Sequence, residues 1–292
     1  MKIRVIGCGN AFSIENYNQS FLLEENNKTF LIDCGHRIPL ALHYSGIDFK
    51  KIDNIYISHC HGDHAGGLEE IAFKRYDWLN MPRRYSDTQI PYAPRLYCNE
   101  LLMDELWIHT LKGGLDSMEG FVSNLETFYE TVRLKPNVPF EWEGWTIDMI
   151  QQVHVMAGSI IKPTFGLFFS KTGHTSIYFT IDAQYFQPKQ VRYFYEKADI
   201  VFQDCECTGL DMKKRKFVFN SGVHASFAEL AGWESANSMV MTLELRNKIW
   251  LSHYQDFVNH KVDFFGNDCD WDQEAEQAGF KGFLKLGQEF EV

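Results

Sequence analysis

Three histidines and one aspartate fall within six consecutive residues of this 292-residue chain: His59, His61, Asp63 and His64. They follow an apolar, β-branched run at residues 55–57. Imidazole nitrogens and carboxylate oxygens are ligands that suit zinc, manganese or iron. In an extended backbone, side chains two residues apart point to the same side, so His59 and His61 can hold one ion together. The stretch therefore predicts a metal site after a buried strand, with Asp63 and His64 within reach of a second ion.

Residues of the same ligand types follow or close other apolar runs along the chain. These residues are His154, Asp182, Asp204 and His253. Apolar, β-branched runs predict strands, and ligand-type residues at successive strand ends would gather along one edge of a sheet. A single histidine or aspartate in such a place is usually a turn residue. The repetition instead favours one shared site.

The predicted strands and helices that carry these residues indicate an α/β fold. We expect a single domain, residues 1–292. Predicted strands alternate with glycine-containing turns and short helices. Apparent hairpins lie at 20–32 and 165–181, and no repeat, low-complexity tract or linker interrupts the chain. An insertion rich in aromatic residues and proline is predicted at about 74–140, and we expect core packing or a dimer contact from it.

The amino-acid composition bears on the size of the core, the charge of the ligand, the cellular compartment and membrane insertion. Hydrophobic residues make up 45% of the chain, which is ample for a packed core. The net charge of −11 repels a long polyanion, so a long nucleic acid is a weaker candidate than a small ligand. Seven scattered cysteines and an N-terminus without a signal segment predict a cytoplasmic protein with free thiols. No apolar run approaches the roughly 18 residues of a membrane span.

His59-x-His61-x-Asp63-His64 resembles the signature of the metallo-β-lactamase superfamily, and the likeness covers nearly the whole chain. The resemblance implies a four-layer αβ/βα sandwich, in which two mixed sheets pack face to face with helices outside. It also implies two divalent metal ions, which we expect to be zinc, with manganese or iron as alternatives. The implied ligands are His59, His61 and His154 for the first ion, Asp63, His64 and His253 for the second, and Asp182 for both.

Two further stretches resemble the ribonuclease Z branch of that superfamily. Residues 7–12 and Asp33-Cys34-Gly35 look like the start of that branch, and Asp204 aligns with its acidic residue. His224-Ala225-Ser226 resembles its His-Ser-Thr motif, although alanine and serine replace two of its residues. Ile181 stands before Asp182 where glycine is common. These departures leave the reactive side chains in place.

The resemblance assigns chemistry to these positions. Two ions roughly 3.5 to 4 Å apart can activate a bridging water as hydroxide and clamp a phosphate. His224 is then the general acid for the leaving oxygen, and Asp204 fixes its tautomer and favours imidazolium. Asp63 joins them as the third predicted catalytic residue.

The absence of a recognisable RNA-binding arm in the sequence narrows the choice of substrate class. Ribonuclease Z relatives carry a basic arm that grips transfer RNA, and no such arm is visible; the basic run at 213–216 is short. The chain is instead similar to anti-Pycsar enzymes, which cleave 3′,5′-cyclic nucleotides and form homodimers. We therefore predict a dinuclear phosphodiesterase for small cyclic nucleotides. Two alternatives are an endoribonuclease that processes transfer RNA 3′ ends and a metal-bound nucleotide sensor without catalysis.

Overall fold

The computed structural model describes residues 1–80, 93–184, 188–233 and 241–292. Its strands are β1 (Lys2–Gly7), β2 (Ser20–Glu25), β3 (Lys28–Ile32), β4 (Asn54–Ile57), β5 (Arg95–Asn99), β6 (Ser117–Met118), β7 (Phe121–Val122), β8 (Glu130–Leu134), β9 (Phe140–Trp142), β10 (Trp145–Ala157), β11 (Ile160–Ser170), β12 (Ile177–Phe179), β13 (Ile200–Asp204), β14 (Leu210–Asp211), β15 (Lys216–Phe217), β16 (Ile249–Ser252), β17 (Gly282–Phe283) and β18 (Glu289–Glu291). Its α-helices are α1 (Ile38–Tyr44), α2 (Gly62–Ala65), α3 (Leu68–Asn80), α4 (Glu100–Glu105), α5 (Lys112–Leu115), α6 (Pro188–Lys197), α7 (Phe227–Leu230), α8 (Leu243–Arg246) and α9 (Trp271–Gln277).

The chain forms two compact units, each built around one large mixed sheet. The first unit contains Met1–Gly7, Tyr17–Pro136 and Leu286–Glu291, and the second contains Cys8–Asn16 and Asn137–Lys285. Each large sheet has seven strands within the described ranges. The predicted α/β class is therefore confirmed. None of the helices in these ranges is long and apolar enough to cross a bilayer.

The sheet of the first unit has the strand order β18-β1-β2-β3-β4-β5-β8. Strands β2 and β3 form the predicted hairpin, whose turn residues Asn26 and Asn27 both have positive φ, as a tight type I′ turn requires. Strands β3, β4, β5 and β8 run parallel. Because parallel strands end at the same sheet edge, residues after β3 and β4 meet there. These are Asp33 and the stretch that begins at Ser58.

The sheet of the second unit has the order β17-β16-β13-β12-β11-β10-β9. Strands β10 and β11 form a long antiparallel hairpin, while β12, β13, β16 and β17 are parallel. Asp182 follows β12, Asp204 ends β13 and His253 follows β16. Three adjacent parallel strands thus deliver three carboxylate or imidazole groups to one edge, as the apolar runs predict.

Several boundaries differ from the sequence-based prediction. The alternation of apolar and polar residues over 145–155 predicts a strand, and β10 continues two residues beyond it. The sequence also predicts a helix over 99–111, and this segment becomes π-helical at Leu106–Leu111. Part of the predicted insertion, residues 81–92, lies outside the described residues. The remainder contributes β5 and β8 to the sheet and buries Tyr97 and Tyr129. Tyr97 and Tyr129 therefore belong to the core, whereas Phe121 and Val122 of the same segment are exposed.

Candidate metal centre

The first unit gathers His59, His61, Asp63 and His64, which we call the motif cluster. The ring of His59 lies 4.6 Å from that of His61 and 4.2 Å from that of His64, measured between centroids. The Nε2 atom of His64 lies 3.2 Å from a carboxylate oxygen of Asp63. Cys60 points elsewhere, since its Sγ contacts the carbonyl oxygen of Leu102 at 3.8 Å. This arrangement matches the alternation expected of an extended backbone.

Asp33 orients the motif cluster. Its buried carboxylate accepts hydrogen bonds from the backbone amide and the hydroxyl of Ser58, each at 2.8 Å. The same carboxylate bonds Nδ1 of His64 at 2.8 Å, which leaves Nε2 as the metal-facing nitrogen. Burial raises the pKa of Asp33, and its bonds with His64 and Ser58 offset part of that rise. A carboxylate behind a ligand histidine is the usual outer support of a metal site.

Gly35 allows the loop after β3 to approach the motif cluster closely. A Cβ atom at this position would lie 1.8 Å from the carbonyl oxygen of Asp63, so no larger residue fits. Beside it, the amide of Cys34 donates to the carbonyl of His64 at 2.7 Å. The amide of Gly67 in turn donates to the carbonyl of Cys34 at 2.8 Å. These backbone hydrogen bonds therefore hold the turn that contains helix α2 in place.

The second unit gathers five further residues, which we call the strand-end cluster: His154, Asp182, Asp204, His224 and His253. The two carboxylate oxygens of Asp182 face different histidines. One oxygen lies 3.5 Å from Nε2 of His154 and the other lies 3.4 Å from Nε2 of His253. All three side chains are buried. A carboxylate with one oxygen toward each of two imidazoles is placed as a bridging ligand would be.

His154 reaches this cluster from within a strand and not from a strand end. The pairing of β10 with β11 shifts register between Val153 and Val155, so a β-bulge falls at His154. Bulges redirect side chains next to functional sites. Nδ1 of His154 bonds the carbonyl of Val223 at 2.9 Å, which again leaves Nε2 toward Asp182. The expectation that His154 closes an apolar run is therefore wrong in detail, because β10 continues past it.

Asp204 and His224 form a hydrogen-bonded pair within the strand-end cluster. Nδ1 of His224 lies 2.8 Å from Oδ2 of Asp204, and that oxygen also accepts the amide of Ala183 at 2.9 Å. Ligand-type atoms of Asp182, Asp204, His224 and His253 all lie within 4.8 Å of one another. Burial alone would lower the pKa of His224, but the charges of Asp204 and Asp182 outweigh burial and raise it to about 9. The direction of this shift favours the imidazolium form of His224.

The segment that carries His224 is held on both sides. The amide of Ala225 donates to the carbonyl of Ala183 at 2.9 Å, and its carbonyl accepts the amide of Glu206 at 2.8 Å. Ser226 then caps α7 in a capping box with Glu229. The serine that replaces threonine in the resembled motif thus retains a hydroxyl at the helix start. The next residue after His224 is alanine, which is fully buried.

Two backbone positions at the strand-end cluster have left-handed conformations. Ile181 has φ of 55° and His253 has φ of 62°. Such angles are rare for residues other than glycine and are uncommon above all for β-branched ones. Glycine would adopt this conformation at position 181 without that steric cost. The left-handed backbone at Ile181 costs about 1–3 kcal/mol, and the packing of its buried side chain holds the residue in this conformation.

Both clusters fit divalent metal ions by their chemistry. Each offers imidazole nitrogens and carboxylate oxygens, the donor set for zinc and its neighbours among the transition metals. In each cluster a second polar group bonds Nδ1 of a histidine and thereby fixes which nitrogen can ligate: Asp33 for His64 and the Val223 carbonyl for His154. The chain therefore contains His/Asp clusters able to bind metal.

Sequence reasoning located every member of these two clusters but gave no role to Asp33 or Ser58. Asp33 carries the same signal as Asp182, an aspartate directly after an apolar run, and that signal could have identified it. Ser58 precedes His59 and has no signal of its own. Its function depends on the parallel pairing of β3 with β4, which a single sequence does not reveal.

The sequence matches known proteins over nearly its whole length. The family model described as Anti-Pycsar protein Apyc1 matches residues 1–290. The curated Anti-Pycsar protein Apyc1 of Paenibacillus sp. (strain J14) is 30% identical over 258 residues, which cover 88% of this chain and 90% of that protein. The range matched by the family model therefore includes both clusters.

Solved structures indicate the fold. The metallo-β-lactamase fold protein YhfI from Bacillus subtilis aligns with a TM-score of 0.66 at 17% identity, covering 100% of this chain and 98% of that one. The short form of human tRNase Z aligns with a TM-score of 0.59 at 16% identity, covering 100% and 99%. The chain has the metallo-β-lactamase fold.

Proposed function

This chain belongs to the Anti-Pycsar protein Apyc1 family, and from that membership we propose that it hydrolyses 3′,5′-cyclic mononucleotides such as cyclic CMP and cyclic UMP. The coarser function, that of a metal-dependent phosphodiesterase, follows from the family and the fold. The family carries the choice of a cyclic substrate, and one observation supports the phosphodiesterase chemistry. The His224–Asp204 pair lies beside Asp182, with Nδ1 of His224 3.9 Å from a carboxylate oxygen of Asp182, so a proton donor would stand next to the proposed bridging ligand.

We propose that the two clusters together bind two divalent ions. The proposed ligands are His59, His61 and His154 for one ion, Asp63, His64 and His253 for the other, and Asp182 for both. Zinc is the proposed metal, with manganese or iron as alternatives, because imidazole and carboxylate ligands suit all three. When bound, two such ions lower the pKa of water and neutralise charge on phosphoryl oxygens.

His224 supplies the proton in this scheme. Nδ1 is engaged by Asp204, so Nε2 is the nitrogen that can donate to the leaving ribose oxygen. A pKa of about 9 for His224 favours the protonated ring at neutral pH, so that the proton is available for transfer to the leaving oxygen. Asp204 holds the ring orientation through its hydrogen bond to Nδ1 and stabilises imidazolium. Asp182 keeps its two oxygens toward His154 and His253 throughout.

A direct assay tests the proposed function. The purified, metal-loaded protein is incubated with cyclic CMP, cyclic UMP and a 3′-extended transfer RNA, and products are separated by chromatography. We expect linear nucleotide monophosphates from the cyclic substrates and no cleavage of the RNA. Cleavage of the RNA alone would replace this proposal with endoribonuclease activity. Nucleotide binding without turnover of any substrate would favour the sensor.

We also propose that the protein is a homodimer, by its likeness to the family. Light scattering coupled to size-exclusion chromatography measures the mass directly. We expect about twice the 34.0 kDa of one chain, and a mass equal to one chain at working concentration would contradict the proposal.

A further inference from the structure

Glu206 contacts the chain on both sides of His224. It lies two residues after Asp204, and its backbone amide donates to the carbonyl of Ala225 at 2.8 Å. Its side-chain carboxylate accepts hydrogen bonds from the hydroxyl of Ser221 at 2.7 Å and from the amide of the same residue at 3.1 Å. One residue therefore fixes positions 221 and 225, and His224 lies between them.

The segment before His224 lies at the surface, so packing alone does not hold it. Ser221 and Gly222 are exposed, and Val223 is partly buried. Gly222 has φ of 76°, a left-handed conformation that glycine adopts readily. A surface segment of this kind has many alternative conformations unless polar contacts select one of them. The contact with Glu206 supplies such a selection where the segment begins.

The carboxylate of Glu206 is a strong anchor because it is buried. The residue is only 3% exposed. A buried carboxylate needs hydrogen-bond donors from the protein, and a hydrogen bond to a charged group is roughly twice as strong as one between neutral groups. Ser221 supplies two donors, its amide and its hydroxyl. Release of Ser221 would remove both from a buried charge, so the bound arrangement is favoured.

Ser221 also connects this anchor to the residues that follow it. Its hydroxyl donates to Glu206, and the oxygen of the same hydroxyl accepts the amide of Val223 at 3.3 Å. The carbonyl of Val223 in turn contacts Nδ1 of His154 at 2.9 Å. A displacement of Ser221 would therefore move the carbonyl that orients His154 and, one residue later, His224 itself.

We propose that Glu206 is a positioning residue for the reaction, which holds the loop at Ser221 so that Nε2 of His224 is placed to donate its proton. The inference rests on the proposed function, in which His224 is the proton donor. Asp204 fixes the ring of His224, whereas Glu206 fixes the backbone that carries it. A misplacement of a catalytic group by about 1 Å can cost about 10²-fold in rate.

A comparison of two leaving groups tests this role on zinc-loaded protein. Cyclic CMP releases an alkoxide, which needs a proton, whereas bis(p-nitrophenyl) phosphate releases nitrophenolate, a stable anion that leaves without one. Glu206→Gln keeps the shape of the side chain but removes its charge, and it should lose about tenfold in kcat for cyclic CMP. Its kcat for bis(p-nitrophenyl) phosphate should change by less than about twofold. Zinc content is measured on the same samples.

Substitutions at Ser221 separate position from charge, since the charge of Glu206 also favours the imidazolium form of His224. Ser221→Ala keeps that charge, changes an exposed residue and removes the hydroxyl that joins Glu206 to Val223. It should reproduce the selective loss on cyclic CMP. Ser221→Thr restores a hydroxyl and should recover the wild-type kcat. The matched control is Glu244→Gln, at an exposed glutamate of α8, which should leave both rates unchanged.

Three results would overturn the positioning role. Equal losses on both substrates in Glu206→Gln would show that the residue supports the fold or the metal site and not the proton donor. An unchanged kcat for cyclic CMP in that variant would remove it from the reaction. A wild-type rate in Ser221→Ala would show that Glu206 acts by its charge and not through the loop. A zinc-loaded wild type that does not hydrolyse cyclic CMP would instead refute the proposed function itself.

Discussion

The motif cluster and the strand-end cluster use the same ligand types but are assembled differently. The motif cluster comes from one stretch of six residues, and a short helix and one buried aspartate, Asp33, are enough to orient it. The strand-end cluster draws on residues 154–253, and its geometry depends on the register of β12, β13 and β16. A short stretch of sequence can thus encode the motif cluster, while the position of Asp182 between His154 and His253 requires a folded sheet.

The two clusters also differ in their chemistry. The motif cluster holds only ligand-type groups and their support. The strand-end cluster adds a carboxylate whose two oxygens face different histidines and an imidazole, His224, whose pKa is raised by neighbouring carboxylates. We therefore expect substitutions around the motif cluster to act through metal affinity. Substitutions in the strand-end cluster should separate into effects on metal binding and effects on proton transfer.

The largest effect is expected from Asp182→Ala. Removal of the carboxylate that faces both His154 and His253 should lower metal content and reduce kcat/KM by about 10⁴-fold, several kcal/mol of transition-state stabilisation. Elemental analysis and initial rates measure the two quantities. Asp116→Ala, at an aspartate whose carboxylate accepts a hydrogen bond from the hydroxyl of Ser117, is the control. Full metal content in Asp182→Ala would contradict a bridging role.

His224→Ala should separate proton transfer from metal binding. We expect kcat to fall by about 10³-fold, within the range for a general acid, while metal content stays at the wild-type level. His109→Ala removes an exposed histidine and should change neither. An unchanged kcat in His224→Ala would remove this residue from the proton-donor role. Loss of metal in the same variant would make it a ligand.

Asp33→Asn tests the support of the motif cluster. The amide keeps the shape of the side chain but removes the charge that holds Nδ1 of His64, so metal affinity should fall by about 10- to 100-fold. Competition with a chelator measures the affinity. Asp104→Asn changes an exposed aspartate paired with Arg133 and should have no effect. Excess metal should rescue the activity of Asp33→Asn, and failure of that rescue would assign Asp33 a role beyond metal affinity.

Asp204→Asn should shift the pH dependence of the rate. Asp204 raises the pKa of His224, and the acid form is lost as pH rises through that pKa. Without the charge the alkaline limb should move to lower pH by about one unit or more. The pH–rate profiles of the two proteins, each checked for metal content, give the shift. An alkaline limb at unchanged pH would separate Asp204 from the titration of His224.

Much of the site could be predicted from the order of apolar runs and ligand-type residues. Asp182 and His253 were predictable because a residue after a buried run lies at a sheet edge. The bulge at His154 was not, because the alternation of the strand continues through it. The contact of Asp33 with Ser58 depends on the pairing of neighbouring strands, which is a tertiary feature.

The central claim is that a two-ion site hydrolyses cyclic nucleotides, and a metal titration tests it most directly. Protein stripped of metal is supplied with zinc in steps, while bound metal and cyclic CMP hydrolysis are measured on the same samples. We predict two ions bound per chain and a rate that rises mainly with the second. Full activity with one ion bound, or without metal, would contradict the account.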